Sequence, residues 1–132
     1  MKSLDFIITN KAEKDIILGD NYSLTQLFAN LVDNAIKYTL SGNVSIITEN
    51  RTPDTVTIYI KDTGIGISEE FLPNLFDPFS QEEVGYTRHF EGNGLGLALV
   101  KSYCDLNKGQ IEVESKKGAG TTFIVTFKLA GD

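Results

Sequence analysis

From Tyr22 to Thr39 the apolar residues Leu24, Leu27, Phe28, Leu31, Val32, Ala35 and Ile36 recur at intervals of three and four. That spacing lays one stripe along a helix, and the stripe needs a second layer to bury it. The rest of the chain supplies candidates of the other period. "NVSIITEN" and "TVTIYIKD" alternate apolar with polar residues around "RTPD", which predicts a hairpin over residues 43–61. "QIEVES" and "TTFIVTFK", joined by "KKGAG", predict another near the end, and the β-branched runs "LDFIITN" and "KDIILGD" predict a third over residues 3–19. A second helical pattern, "GLALVKSYCDLN", runs from Leu95 to Asn107 and stops at Lys108 and Gly109, and a short helix is expected at about Ser68–Asn74. Asp20 or Asn21 can cap the first long helix. The expectation is one α+β domain over residues 1–132, a two-layer sandwich. Its mixed, mostly antiparallel sheet has about five strands, covered on one face by about three helices.

Charge narrows the partners. Twelve Lys and Arg stand against eighteen Asp and Glu, a net charge of −6. That is the wrong sign for attracting nucleic acid or an anionic lipid surface. The single cysteine, Cys104, has no internal disulfide partner and falls among apolar helix positions, which predicts a buried free thiol and a reducing, cytoplasmic setting. No apolar run reaches the roughly 18 residues of a membrane span, and the opening "MKSLDFIITN" lacks a signal-peptide core.

Three places carry chemistry. In "EGNGLGLALV" the glycines Gly92, Gly94 and Gly96 alternate directly before the second helix. Glycine lets a ligand approach the main chain closely, and the first amides of a helix have no internal partner, so this junction suits an anion. The spacing fits no dinucleotide fingerprint, which needs its third glycine at the position of Leu97, and no Gly-Lys-Ser/Thr follows. On the first helix, Asn30, Asn34 and Lys37 fall within an arc of roughly 60° beside the apolar stripe. A neutral asparagine carbonyl is a hard ligand suited to Mg²⁺, and a lysine beside it adds charge for phosphate oxygens. In "KDTGIG", Asp62 ends an apolar strand ahead of Gly64 and Gly66. A carboxylate there can accept from an amino group while the glycines admit a flat ring. Each has a plainer reading as well: a surface turn, a solvated polar strip and an Asx turn.

Taken in order, "NLVDNAIKYT", "DTGIGI", "LFDPFS" and "GNGLGLALVK" closely resemble the boxes of the catalytic, ATP-binding domain of bacterial sensor histidine kinases. The resemblance runs from about Ser3 to Phe127. It implies the sandwich of the superfamily shared with gyrase, MutL and the heat-shock chaperone ATPase, the Bergerat fold. It further implies ATP and Mg²⁺ as cofactors, with Asn34 on the metal, Lys37 and Tyr38 near phosphate and ribose, and Asp62 on the adenine amino group. Gly64, Gly66 and Ile67 shape the base pocket, the amides of Gly94, Leu95 and Gly96 cradle phosphate with Gly92 and Leu97 alongside, and Thr122 in "GAGTTF" closes the back of the pocket. Residues 80–92 resemble a lid anchored by Phe76 and Phe79.

Two departures bear on mechanism. Where the superfamily's ATPases and serine-directed kinases carry a general-base glutamate one turn before the metal-binding asparagine, this chain has Asn30. An amide takes up no proton at neutral pH, so the site suits a nucleophile that arrives basic, such as neutral imidazole. Gln81 stands where many members carry an arginine after the phenylalanine box, and Arg88, in "GYTRHF", resembles the lid arginine of kinases whose lid reads Gln after "PFS"; the resemblance implies that it steadies the transferring phosphoryl group, and its plainer reading is a solvated loop cation. The acceptor histidine of such kinases sits on a helical hairpin; His89, the only histidine here, is in the lid-like stretch. The implied partners are therefore the dimerisation and phosphoacceptor domain of a longer kinase, and a response regulator downstream. Two rivals remain: a stand-alone serine kinase of the anti-sigma-factor type, and a nucleotide-sensing module without transfer.

Overall fold

The computed structural model describes residues 3–39, 41–76 and 96–130. The lid-like residues 80–92, Phe79, Gln81, Arg88, His89, Gly92, Gly94 and Leu95 lie outside the described residues. In chain order the elements are β1 (Ser3–Asn10), α1 (Asn21–Tyr38), β2 (Ser41–Glu49), β3 (Thr55–Asp62), a 3-10 turn at Leu72–Asn74, α2 (Gly96–Leu106), β4 (Gln110–Lys116) and β5 (Gly120–Lys128). One mixed sheet runs in the order β1-β2-β3-β5-β4. β1 is parallel to β2, and every other pairing is antiparallel.

The stripe on α1 buries as its spacing requires. Leu27, Leu31 and Ala35 are almost wholly inaccessible and meet Val100 and Cys104 of α2 over Val44, Ile60, Phe123, Val125 and Phe127 of the sheet. Phe28 adds an edge-to-face contact with Phe127 at 6.3 Å. Asp20 caps α1 by accepting from Ser23 N–H at 2.7 Å, which holds its carboxyl below the usual carboxylate range. Cys104 is buried, and burial pushes its thiol up.

Two expectations fail. The hairpin over residues 3–19 does not form: β1 takes β2 as its parallel neighbour, with Phe6 opposite Val44, and residues 11–20 hold no strand. That stretch is tethered from its flanks. Asn50 Oδ1 accepts from Glu13 and Lys14 N–H, and Ala130 N–H donates to Ile16 O. The helix at 68–74 is only a 3-10 turn, so the described residues hold two α-helices rather than about three. Pro73 has no N–H to give to Glu69 and its ring opposes an α-turn, and the chain closes with three-residue bonds such as Asn74 N–H to Phe71 O. Among the described residues no helix is long and apolar enough to cross a membrane.

The end of α2 places an L-residue where glycine is usual. Lys108 N–H donates to Asp105 O and Gly109 N–H to Cys104 O, the paired bonds that close a helix through a left-handed residue. That residue is Lys108, at φ 59°, whereas Gly109 is small because a Cβ there would lie 2.5 Å from the Phe127 ring. Lys108→Gly is expected to stabilise the fold by about 0.5–1 kcal/mol, since a left-handed side chain costs about 1–2 kcal/mol and glycine's extra freedom returns part of it. A rise in the urea midpoint at constant slope checks this.

Candidate nucleotide site

Asp62 ends β3 at the centre of the sheet and is 6% exposed. Its Oδ1 accepts from Gly64 N–H at 2.8 Å and from Thr121 N–H at 3.2 Å. Burial raises its pKa above the ordinary 3.8, while those two backbone bonds pull it down. No described residue donates to Oδ2. The carboxylate is thus held by one oxygen, and the other keeps its acceptor capacity.

The loop that follows is bonded on four sides. Thr63 N–H donates to Asn43 O, Ile65 N–H to Tyr38 O at the end of α1, and Ile67 N–H to Ser115 Oγ of β4. Gly118 N–H, in the β4–β5 turn, donates to Ile65 O at 2.7 Å. These approaches explain the glycines. A Cβ on Gly64 would overlap Tyr38 O and lie 2.9 Å from both Asp62 Oδ1 and Thr39 Oγ1. Gly66 has φ 74° and packs against Lys116 O, where a Cβ would overlap. The protein's own backbone therefore demands both residues. Around Gly64 one polar atom is left over: Thr39 is fully buried and its Oγ1 has no hydrogen-bond partner among the described residues. Such an orphan costs on the order of 1–3 kcal/mol.

The register revises one assignment. Thr121 pairs with Asp62, whereas Thr122 pairs with Lys61 on the opposite face of the sheet. The threonine brought to the carboxylate is Thr121, which is 7% exposed, and Thr122 is not brought there. The signal lay in the apolar alternation: counting back by twos from Phe127, Val125 and Phe123 reaches Thr121. Ser115 was also missed. Its Oγ lies 3.0 Å from Gly120 O and 2.8 Å from Thr121 Oγ1, besides accepting from Ile67 N–H.

The C-terminal end of α1, which carries the polar ridge, meets this loop through Tyr38 O. Asn30 and Asn34 are half-buried, and neither side-chain amide bonds a described residue. Lys37 Nζ lies 3.0 Å from Asp33 Oδ2 in a largely exposed pair, worth under about 1 kcal/mol. Tyr38 lends its carbonyl to Ile65. Of the helix-start residues, Gly96 opens α2 and Leu97 packs half-buried against the core. Phe76 stacks edge-on against Phe123 at 6.4 Å.

The two helices are pinned at one end. Asn107, just past α2, accepts from Asp20 N–H at 2.7 Å and donates to Ser23 Oγ at 2.9 Å at the start of α1. Running back along α2 to Gly96, at about 1.5 Å per residue, covers roughly 16 Å. The same residue interval along α1 leads from Ser23 to Asn34. For two helices in contact, this draws the first turn of α2 toward the asparagine ridge.

Residues 19–131 match the family described as "Histidine kinase-, DNA gyrase B-, and HSP90-like ATPase". The chain is 40% identical, over 97% of its length, to the autoinducer 2 sensor kinase/phosphatase LuxQ of Vibrio parahaemolyticus, of which it spans 16%. Among solved structures it resembles full-length ShkA in complex with AMPPNP, with TM-score 0.80 and 26% identity over 98% of this chain and 27% of that one. It also resembles the nucleotide-free catalytic domain of histidine kinase ThkA, with TM-score 0.77 and 28% identity over 95% of this chain and 78% of that one. With the glycine loop behind Asp62 and the asparagine ridge on α1, these likenesses lead to one conclusion: the chain belongs to the histidine kinase-, DNA gyrase B- and HSP90-like ATPase family.

Proposed function

We propose that this chain binds ATP with Mg²⁺ and positions the γ-phosphate for transfer to a histidine on the dimerisation domain of a sensor kinase. The observation that carries the reading is Asp62. Its carboxylate is buried and fixed through Oδ1, with Oδ2 left to accept from the 6-amino group of adenine. Thr121 lies beside it on β5, and the orphaned Thr39 hydroxyl near Gly64 marks further unmet polar capacity. Ile67, Gly64 and Gly66 form the loop wall of the base pocket. On α1, Tyr38 and Lys37 serve ribose and phosphate, and the uncommitted amide of Asn34 fits Mg²⁺, which favours few neutral or acidic oxygen ligands. Bound there, the ion would neutralise charge on the phosphate oxygens. Gly92, Gly94, Leu95, Gly96 and Leu97 belong to the phosphate end of this reading, and Arg88 to its lid.

Asn30 decides the acceptor. It occupies the ridge position from which a carboxylate would deprotonate water or a hydroxyl, and an amide does not. A neutral imidazole needs no such help, so the site's work is placement and charge neutralisation. The acceptor domain and a downstream response regulator are the partners of this reading, and the cytoplasm is its compartment.

The test is calorimetry followed by transfer. The chain is expected to bind ATP more tightly with Mg²⁺ than without, and to label the parent kinase's dimerisation and phosphoacceptor domain, added in trans, on histidine. Acid-labile, base-stable phosphate on that domain supports the proposal. Tight ATP binding with no phosphohistidine would leave a nucleotide-sensing module, and label on serine would identify a serine kinase.

A further inference from the structure

We infer that Ser115 is a positioning residue that sets the direction of the Thr121 hydroxyl, and thereby selects a 6-amino over a 6-oxo purine. The inference rests on the proposed nucleotide reading and goes beyond it, since Ser115 lies on β4 and acts through Thr121 and Ile67.

The argument is a count of protons. Ser115 Oγ has three partners: Ile67 N at 2.8 Å, Gly120 O at 3.0 Å and Thr121 Oγ1 at 2.8 Å. An amide N–H only donates and a carbonyl oxygen only accepts. The serine hydroxyl owns one proton, and Gly120 O takes it. Its oxygen accepts from Ile67 N–H with one lone pair and has one left for Thr121. Only one arrangement keeps all three contacts as hydrogen bonds, and in it the Thr121 hydroxyl donates to Ser115. Thr121 then offers lone pairs alone to its surroundings. Its cross-strand neighbour is Asp62, whose carboxylate is an acceptor only. The two groups nearest the base edge therefore both ask for donors. A 6-amino purine supplies one, whereas a 6-oxo purine presents an oxygen and leaves it unpaired against acceptors. Ser115 also ties Ile67 of the loop after β3 to the start of β5, so both walls of the pocket share one fixed point.

Removing the serine hydroxyl frees the Thr121 proton, which can then turn toward a 6-oxo group. Ser115→Ala is expected to weaken ATP binding about fivefold, the worth of roughly one hydrogen bond. The same change should strengthen ITP binding, so the ATP:ITP affinity ratio falls about tenfold or more. Ser115→Thr restores the hydroxyl and should restore the ratio. Adding Thr121→Val to Ser115→Ala removes the freed donor and should abolish the gain toward ITP. Equal losses for ATP and ITP in Ser115→Ala would mean a structural role only and overturn the inference. Should Ser115→Ala fail to fold by circular dichroism, Ser115→Cys, with a weak donor and acceptor of similar size, is expected to show the same fall, and an unchanged ratio there overturns it too. If the wild-type chain binds neither nucleotide, the proposed function fails; if it binds ATP and only the ratio stays fixed, the role of Ser115 alone fails.

Discussion

Asp62→Asn is expected, on the proposed reading, to lower the affinity for ATP by roughly 100-fold and to leave the free protein at least as stable as the parent chain. The two effects have separate causes. Asparagine keeps Oδ1, so Gly64 and Thr121 N–H retain their acceptor. In place of Oδ2 it puts an NH₂ group, which on the proposed reading would meet the amino group of adenine donor against donor. Losing a bond to a charged group costs about 1.5–3 kcal/mol, and roughly 100-fold corresponds to about 2.7 kcal/mol. The stability change follows from titration. Burial raises the Asp62 pKa above 3.8 in the folded chain, so the folded state holds that proton more tightly than the unfolded one. Below pH 3.8 the carboxyl is neutral in both states and costs nothing. As pH climbs from 3.8 to the folded value the charge must be carried in a buried place, and stability is lost across that window. Melting curves of the two proteins should coincide near pH 3 and separate in favour of Asp62→Asn by pH 7. Undiminished ATP affinity by calorimetry would remove Asp62 from the pocket, and a less stable variant at pH 7 would refute the electrostatic account.

The sequence declared most of what local chemistry decides. Both long helices, the β2–β3 and β4–β5 hairpins and the glycine loop behind Asp62 could be read from period and turn residues, because each is settled within about twenty neighbouring positions. The partner of β1 could not. Its β-branched run and that of Asp15–Leu18 make a plausible hairpin locally, but β1 pairs with β2 across the whole of α1, a choice made by burying the α1 stripe rather than by any turn. In the second run only Ile17 packs on the core, while Ile16 and Leu18 are exposed. Thr121 and Thr122 differ by one residue, and one residue reverses the face of a strand. The chemistry of a Thr-Thr pair says nothing about which faces Asp62, whereas the Phe123–Val125–Phe127 alternation does. Ser115 was hidden for another reason: its three partners lie 48, 5 and 6 residues away, and no spacing rule announces a hydroxyl that joins a loop to a neighbouring strand.

Asn107→Leu is expected to cost about 3 kcal/mol of stability and to lower the melting temperature by about 10 °C. The volumes are similar, so the loss is of hydrogen bonds rather than packing. Nδ2 donates to Ser23 Oγ and, at 2.8 Å, to Tyr103 O, while Oδ1 accepts from Asp20 N–H. Ser23 is 2% exposed, so its hydroxyl loses a partner that water cannot readily replace, keeping only a longer contact to Asp20 O at 3.3 Å. The turn is also tight: a Cβ on Gly19 would lie 2.8 Å from Asn107 Oδ1 and 2.6 Å from Leu24. Asn107→Asp separates the parts, since it keeps the acceptor for Asp20 and can accept from the Ser23 hydroxyl, but sets an oxygen against Tyr103 O. It should cost nearly as much if the bond to Tyr103 O dominates, and much less if the Asp20 and Ser23 bonds do. The double variant Ser23→Ala/Asn107→Leu should lose less than the sum of its parts, because both remove one shared bond. The consequence reaches the site, because this pin fixes where α2 begins relative to the asparagine ridge on α1. On the proposed reading, ATP affinity in Asn107→Leu, measured well below its melting temperature, should therefore fall several-fold although the residue is about 16 Å from the start of α2. A variant that melts lower but binds ATP as before would show that the helices keep their relative level without Asn107, and that the ridge and the helix start are held together by the core alone.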